Sequence, residues 1–164
     1  MKYRLVIVDG MLGKLARWLR MLGVPALYKG VWGDEELLEL AQGEGVLLLT
    51  RDKELARKAR SAGLSALLLP QAEVEDLLAV VLPALGREPV FDQRSALCPL
   101  CGSALSPAGR DEVARRVPQR VLAVYSEFYM CTKCGQVYWA GSHMRQIEAT
   151  LERVRRIAYG KIVC

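Results

Sequence analysis

Short apolar runs alternate with stretches of helical periodicity in the first half of the chain, and this order restricts the possible folds more than any other feature. The runs predict strands at 5–8, 26–28, 46–50 and 66–69, and the periodic stretches predict helices at 12–22, 34–42, 53–62 and 72–85. Strands and helices that alternate four times over short connections imply a parallel sheet with right-handed crossovers. The sequence therefore predicts an α/β domain in which helices cover both faces of a parallel sheet.

The second half of the chain contains four cysteines in two Cys-x-x-Cys pairs, each followed by a glycine: Cys98, Cys101, Cys131 and Cys134. Each pair can direct two thiolates toward one ion, and two pairs complete the tetrahedral shell of a structural zinc site. A redox dithiol or disulfides are the alternatives. Zinc is the preferred hypothesis, with a helix near 111–116 inserted between the pairs. Cys164 has no such partner and is expected to be a free thiol.

Aperiodic sequence at 86–94 separates the two patterns, which predicts an α/β domain at 1–88 and a zinc ribbon with a basic C-terminal helix at 94–164. Residues 1–95 contain 13 Lys/Arg and 13 Asp/Glu, whereas residues 96–164 contain 10 and 5, so the second half carries the whole net charge of +5. Such an excess attracts polyanions. Neither a secretory signal nor an apolar run of membrane-spanning length is present. We therefore expect a cytoplasmic protein without a membrane partner.

Three aspartates lie where the strands of the predicted sheet end. Asp9 follows the first strand, Asp34 begins the second helix and Asp52 follows the third strand. Ligands bind at this edge of open parallel sheets, and carboxylates suit Mg²⁺ or Mn²⁺, which can activate water against a phosphodiester. This pattern predicts a nuclease, with Glu35 as the best fourth acid. Asp34 and Asp52 could equally be helix N-caps.

Two other phosphate chemistries fit the same edge less well. A phosphotransferase with an aspartyl nucleophile needs Asp-x-Asp after the first strand, where this chain has Asp9, Gly10 and Met11. A response-receiver domain needs Ser or Thr after the fourth strand, where Pro70 and Gln71 stand. A glycine-rich phosphate loop is also missing, so the nuclease hypothesis is the strongest.

Several segments carry a resemblance to a known family. They are VDGMLGKLARWLRMLG (8–23), DEELLELA (34–41), LLLTRDKELARKAR (47–60), CPLC (98–101) and FYMCTKCGQVYWAGSHMRQI (128–147). These segments resemble the Mut7-C RNase domain family, a PIN-like domain fused to a C-terminal zinc ribbon. The resemblance implies a PIN-type fold, a metal-dependent ribonuclease and RNA, single-stranded or structured, as substrate. It also allows a PIN-like dimer.

The resemblance assigns roles to the same residues. Asp9, Asp34 and Asp52 match the family's acids, and the four cysteines match its zinc ligands. PIN nucleases generally present one further acid, which Glu35 or Glu36 would supply. The alternative function is a non-catalytic RNA-binding or ribosome-associated adaptor.

Cationic and aromatic side chains are the expected RNA contacts. Around the acids these are Lys14, Arg17, Arg51 and Lys53, although a solvated helix face explains the first two equally well. In the second half, Tyr138 and Trp139 could stack on unpaired bases beside His143 and Arg145, although such aromatics more often form the core of a zinc module. Catalysis by His143 is the less favoured role for this residue. Further arginines complete the expected phosphate footprint: Arg115, Arg116, Arg120, Arg153, Arg155 and Arg156.

Overall fold

A computed structural model describes residues 2–160 of the chain. Four parallel strands form the first sheet, in the order β2-β1-β3-β4: β1 (Leu5–Val8), β2 (Ala26–Tyr28), β3 (Val46–Thr50) and β4 (Ala66–Leu68). Four helices alternate with them: α1 (Gly13–Met21), α2 (Asp34–Ala41), α3 (Lys53–Ser61) and α4 (Val74–Ala84). The predicted α/β class is confirmed, and every predicted element of this half ends within two residues of its observed bounds.

The central strands β1 and β3 are buried on both sides because their side chains alternate between two cores. Val6, Val8 and Leu49 belong to a core that includes residues of α1 and α4. Ile7 and Leu48 belong to the opposite core, with residues of α2 and α3. The continuous apolar character of the strands thus corresponds to a sheet covered by helices on both faces.

An antiparallel sheet of three short strands follows, in the order β5-β6-β7: β5 (Leu105–Ala108), β6 (Phe128–Cys131) and β7 (Val137–Tyr138). The chain between the cysteine pairs forms two helices, α5 (Arg110–Val113) and α6 (Gln119–Val124), where one helix at 111–116 was predicted. Pro118 separates them, since proline cannot supply the backbone N–H of a helix interior and here stands at the N-cap of α6. Strand β5 was not predicted, because it is short, half exposed and contains Pro107.

The last helix, α7 (Met144–Tyr159), packs against α4 of the first half. Leu151 and Val154 are fully buried in the core shared with α1 and α4. Arg153 adds an ion pair of 2.9 Å to Glu75 on α4. The predicted division at 88 and 94 stays a prediction, but the final helix is part of the first hydrophobic core.

Two sequence expectations concern other parts of the chain. Cys164 lies outside the described residues. Within residues 2–160, no helix has both the length and the apolar character that crossing a bilayer requires.

Candidate functional site

The four cysteine sulfurs converge on one point in the second half of the chain. All four Sγ atoms lie within 4.8 Å of one another, with 3.7 Å between Cys98 and Cys134 and 3.4 Å between Cys101 and Cys131. A tetrahedral zinc with Zn–S bonds of about 2.3 Å requires sulfur–sulfur edges of about 3.8 Å. The sulfurs are too far apart for disulfide bonds, and the cysteines are free. This cluster can therefore bind a metal such as zinc, as predicted.

Local backbone geometry brings each pair of thiols together. The Gly102 N–H donates to the Cys98 carbonyl (2.7 Å), and the Gly135 N–H donates to the Cys131 carbonyl (3.1 Å). The two glycines have φ of +79° and +75°, the left-handed region that other residues rarely adopt. The glycine after each Cys-x-x-Cys motif is thus required by the sharp turn that aims the thiols.

Hydrogen bonds also connect the cluster to neighbouring side chains. Side-chain and backbone hydrogen bonds from Ser103 lower the pKa of Cys101 to about 6. Tyr138 lies beside Cys98, with its hydroxyl 3.1 Å from the sulfur, and burial together with this contact raises the pKa of the tyrosine. Tyr138 therefore supports the cysteine cluster, in keeping with the alternative that such aromatics form the core of a zinc module.

Arg20 joins the cysteine cluster to the parallel sheet, a role that was not predicted from the sequence. This side chain is 4% exposed, and its Nε donates to the Ala26 carbonyl at 2.9 Å. Its Nη1 donates to the carbonyls of Pro99 and Leu100, both at 3.2 Å, inside the first cysteine turn. The available signal was a charged residue on the buried face of α1, four positions after the fully buried Ala16.

The acidic edge is built around Thr50, the fully buried last residue of β3. The Thr50 hydroxyl donates to Asp9 Oδ2 at 2.7 Å and accepts from the Asp52 N–H at 3.0 Å. Asp9 Oδ1 accepts from the Gly10 N–H at 2.7 Å. The Asp9 carboxylate and the Asp52 backbone N–H are therefore joined through one hydroxyl, at the carboxyl ends of neighbouring strands.

The remaining predicted acids are not part of this arrangement. Asp34 and Glu35 are exposed in the first turn of α2 and have no hydrogen bond or ion pair within residues 2–160, whereas Glu36 pairs with Lys29 at 2.8 Å. In the described part of the chain, the cysteines are the only group of three or more potential metal ligands whose atoms lie this close together. The carboxylates thus do not form such a group.

The N-cap alternative holds for one of the two aspartates. Asp52 Oδ1 accepts from the N–H groups of Glu54 and Leu55, at 2.9 and 3.1 Å, so Asp52 is the N-cap of α3. At α2 the N-cap is Gly33, and Asp34 is the first helical residue. Capping occupies only one oxygen of Asp52.

A cleft of about 710 Å³ opens beside Asp52. Arg51, Lys53 and Gln71 contribute polar groups to its lining, and a smaller cleft of about 110 Å³ shares Arg51 and adds Lys14. Arg51 donates from Nη2 to the Ala72 carbonyl at 3.3 Å, while its buried Nε has no hydrogen-bond partner. Three predicted cationic residues are therefore on the cleft walls, whereas Arg17 lies exposed on α1 outside both linings.

The basic residues of the second half divide into paired and unpaired groups. On α7, Arg153, Arg155 and Arg156 form ion pairs with glutamates, and Arg116 donates to the Gly135 carbonyl. Within residues 2–160, the side chains of Arg115, Arg120 and Arg145 have no hydrogen bond or ion pair. The free positive charge of this half is thus smaller than its sequence suggests.

The aromatic residues predicted to contact RNA lie between the two halves. Trp139 packs edge-on against Phe128, with ring centroids 6.4 Å apart. His143 is exposed immediately before α7 and does not cap it by its side chain. Both residues, together with Tyr138, line a cavity described below.

Fold and site together define an α/β protein with acids at the carboxyl ends of a parallel sheet and a four-cysteine cluster that can bind a metal. The chain belongs to the Mut7-C RNAse domain family, whose model matches residues 4–151. This membership indicates a ribonuclease-type function and RNA as the substrate. No curated protein and no solved structure shows significant similarity to the chain.

Proposed function

We propose that this protein is a metal-dependent ribonuclease that hydrolyses RNA phosphodiester bonds in a PIN-like domain at 1–88 and holds RNA with its zinc ribbon. The observation that carries the proposal is the hydrogen-bonded arrangement of Asp9, Thr50 and Asp52 at the carboxyl ends of β1 and β3. Open parallel sheets bind their ligands at this edge. The cleft next to Asp52, with Arg51 and Lys53 on its walls, has the charge needed to hold a phosphate.

The acidic edge offers donor atoms of the type and number that a hard divalent cation requires. Each carboxylate oxygen of Asp9 accepts one hydrogen bond and keeps a second lone pair, and Oδ2 of Asp52 has no partner within residues 2–160. Mg²⁺ is commonly held by one or two carboxylates, with waters and substrate phosphates as its other ligands. When bound, Mg²⁺ or Mn²⁺ would supply an activated water and stabilise the charge of the phosphate.

Each residue at this edge has a distinct part in the proposal. The Thr50 hydroxyl orients the Asp9 carboxylate, and the N-cap hydrogen bonds of α3 orient the Asp52 carboxylate, so both groups need little rearrangement to bind an ion. Arg51 and Lys53 neutralise and position the phosphate, with Lys14 and Arg17 as further contacts. Asp34 and Glu35 are proposed as additional acids, since their carboxylates are exposed and unpaired within the described part of the chain.

Zinc is proposed as the structural ion of the four-cysteine cluster. Four sulfur ligands leave no open coordination position, so this ion would stabilise the ribbon and take no part in hydrolysis. The unpaired Arg145, with Tyr138, Trp139 and His143, is proposed to contact RNA on this half.

A second candidate function is RNA binding without catalysis, as in an adaptor. One observation favours it: within residues 2–160, the acids do not form a group of three or more convergent ligands. In that case the carboxylates of Asp9 and Asp52 would only accept hydrogen bonds, from backbone N–H groups and from the Thr50 hydroxyl, at the strand ends.

Cleavage of a 5′-labelled RNA in Mn²⁺ distinguishes the two functions. The variant Asp9→Asn/Asp52→Asn keeps side-chain shape but removes the charge, so we expect it to bind RNA and to lose most cleavage. Asp111→Asn, an exposed acid on α5, is the matched control and should cleave as the wild type does. Equal cleavage by all three proteins would exclude the acidic edge as the catalytic site. Binding without cleavage by all three would support the adaptor.

A further inference from the structure

A cavity of about 290 Å³ lies between the parallel-sheet half and the cysteine half. Its walls come from the end of α1, the connecting segment, the first cysteine turn and the start of α7. Its lining includes Phe91, Gln93, Tyr138, Trp139 and His143. We call this space the interdomain cavity.

Most of the cavity surface is apolar, but three lining side chains have unused hydrogen-bonding capacity. The Gln93 amide, the indole N–H of Trp139 and the imidazole of His143 make no hydrogen bond within residues 2–160. Trp139 and His143 converge beside Gly141, where a β-carbon would lie 2.9 Å from the indole nitrogen and 3.3 Å from His143 Nδ1. Apolar walls with a few convergent polar groups are typical of sites that bind a specific organic group.

Size and charge restrict the occupant. The cavity volume of about 290 Å³ is close to the lower limit for drug-sized ligands, about 300 Å³, and it has room for one nucleobase. Arg94 and Arg145 each adjoin a lining residue in sequence, and their guanidinium groups have no partner in the described part of the chain. Aromatic faces flanked by free cations are the combination that binds single-stranded nucleic acid.

We propose that the interdomain cavity binds one unpaired nucleobase of an RNA chain, stacked on Phe91 and Trp139 and hydrogen-bonded by Gln93 and His143. This base site extends the proposed function, and it rests on that function because RNA is the ligand in both. It adds Phe91 and Gln93, from the connecting segment, to the RNA contacts. Because both halves line the cavity, a bound base would fix the path of the strand between them.

Fluorescence anisotropy with two probes tests the cavity. The probes are a short fluorescein-labelled oligouridylate and an abasic oligomer of equal length, in buffer without added Mg²⁺ or Mn²⁺ so that RNA is bound but not cut. Phe91→Leu keeps apolar volume and removes the aromatic face, and His143→Ala changes an exposed side chain. We expect each variant to bind oligouridylate at least about fivefold more weakly and the abasic oligomer unchanged.

Val124→Ala, at a 72% exposed position on α6, is the matched control and should bind both probes as the wild type does. Far-UV circular dichroism and zinc content establish whether each variant is folded. If Phe91→Leu does not fold, His143→Ala still tests the cavity. Equal wild-type affinity for the two probes, or cavity variants that match the control, would overturn the base site while leaving RNA cleavage intact. A wild type that binds neither probe would overturn both proposals.

Discussion

Replacing Arg20 by methionine tests whether this buried guanidinium holds the two halves together. The variant keeps the long side chain but removes three hydrogen bonds, to the carbonyls of Ala26, Pro99 and Leu100. A hydrogen bond from a charged donor contributes about 1.5–3 kcal/mol, and relief of the burial cost of the charge offsets part of the total. We expect the free energy of unfolding to fall by about 2–4 kcal/mol. A loss of about 3 kcal/mol, the middle of that range, corresponds to a decrease in Tm of roughly 6–12 °C.

Urea unfolding followed by far-UV circular dichroism, with zinc present, measures this effect. Arg17→Met is the matched control, because Arg17 is exposed on the same helix and makes no hydrogen bond or ion pair within residues 2–160. It should change the unfolding free energy by less than about 0.5 kcal/mol. Equal stability of Arg20→Met and the wild type, or an equal loss in both variants, would mean that the Arg20 hydrogen bonds do not stabilise the contact between the halves.

The Arg20→Met variant also tests whether the stabilising effects of Arg20 and of the bound metal depend on each other. If the cluster binds zinc as proposed, the ion contributes folding energy to the cysteine half, so chelation should disorder that half and release the carbonyls of Pro99 and Leu100 from Arg20. Chelation and Arg20→Met should therefore destabilise the protein by less together than the sum of their separate effects. Strict additivity would mean that Arg20 and the cysteine cluster act independently.

Three further outcomes are expected. Thr50→Val should cost about 1–3 kcal/mol of stability in thermal melts and lower RNA cleavage, since a buried bridging hydroxyl is lost; Thr50→Ser should retain both. Leu151→Ala should cost about 2–5 kcal/mol by chemical unfolding, whereas alanine at the 49% exposed Ile157 should cost little. The hydrogen bond from Arg153 holds the pKa of the Glu75 carboxyl below its ordinary 4.5. The ion pair therefore contributes its full stabilisation above pH 4.5, and this contribution is lost as the pH falls through the lower pKa of the folded state. Melts of the wild type and Glu75→Gln should therefore differ by under about 1 kcal/mol at neutral pH and converge in acid; a constant difference at all pH values would refute the ion-pair explanation.

The acidic edge shows where prediction from sequence was sufficient and where it was not. Asp9 and Asp52 were identified because both follow strands whose carboxyl ends share one edge of the sheet. Their separation by the Thr50 hydroxyl, and the use of Asp52 as a helix cap, depend on side-chain orientation, which the strand order does not specify. Asp34 shares that edge by sequence, but within residues 2–160 no hydrogen bond connects it to Asp9, Thr50 or Asp52.

The sequence by itself determined the features that depend on residues close together in the chain. Apolar runs and helical periods specify the elements of the parallel sheet, and each Cys-x-x-Cys-Gly motif specifies its own turn, because hydrogen bonds and backbone dihedrals act over a few positions. Only the tertiary structure decided that α7 packs on α4, that Arg20 reaches the first cysteine turn and that the connecting segment helps to enclose a cavity. These contacts join residues up to about 80 positions apart, and their stability comes from burial and hydrogen bonds that exist only once both surfaces have met.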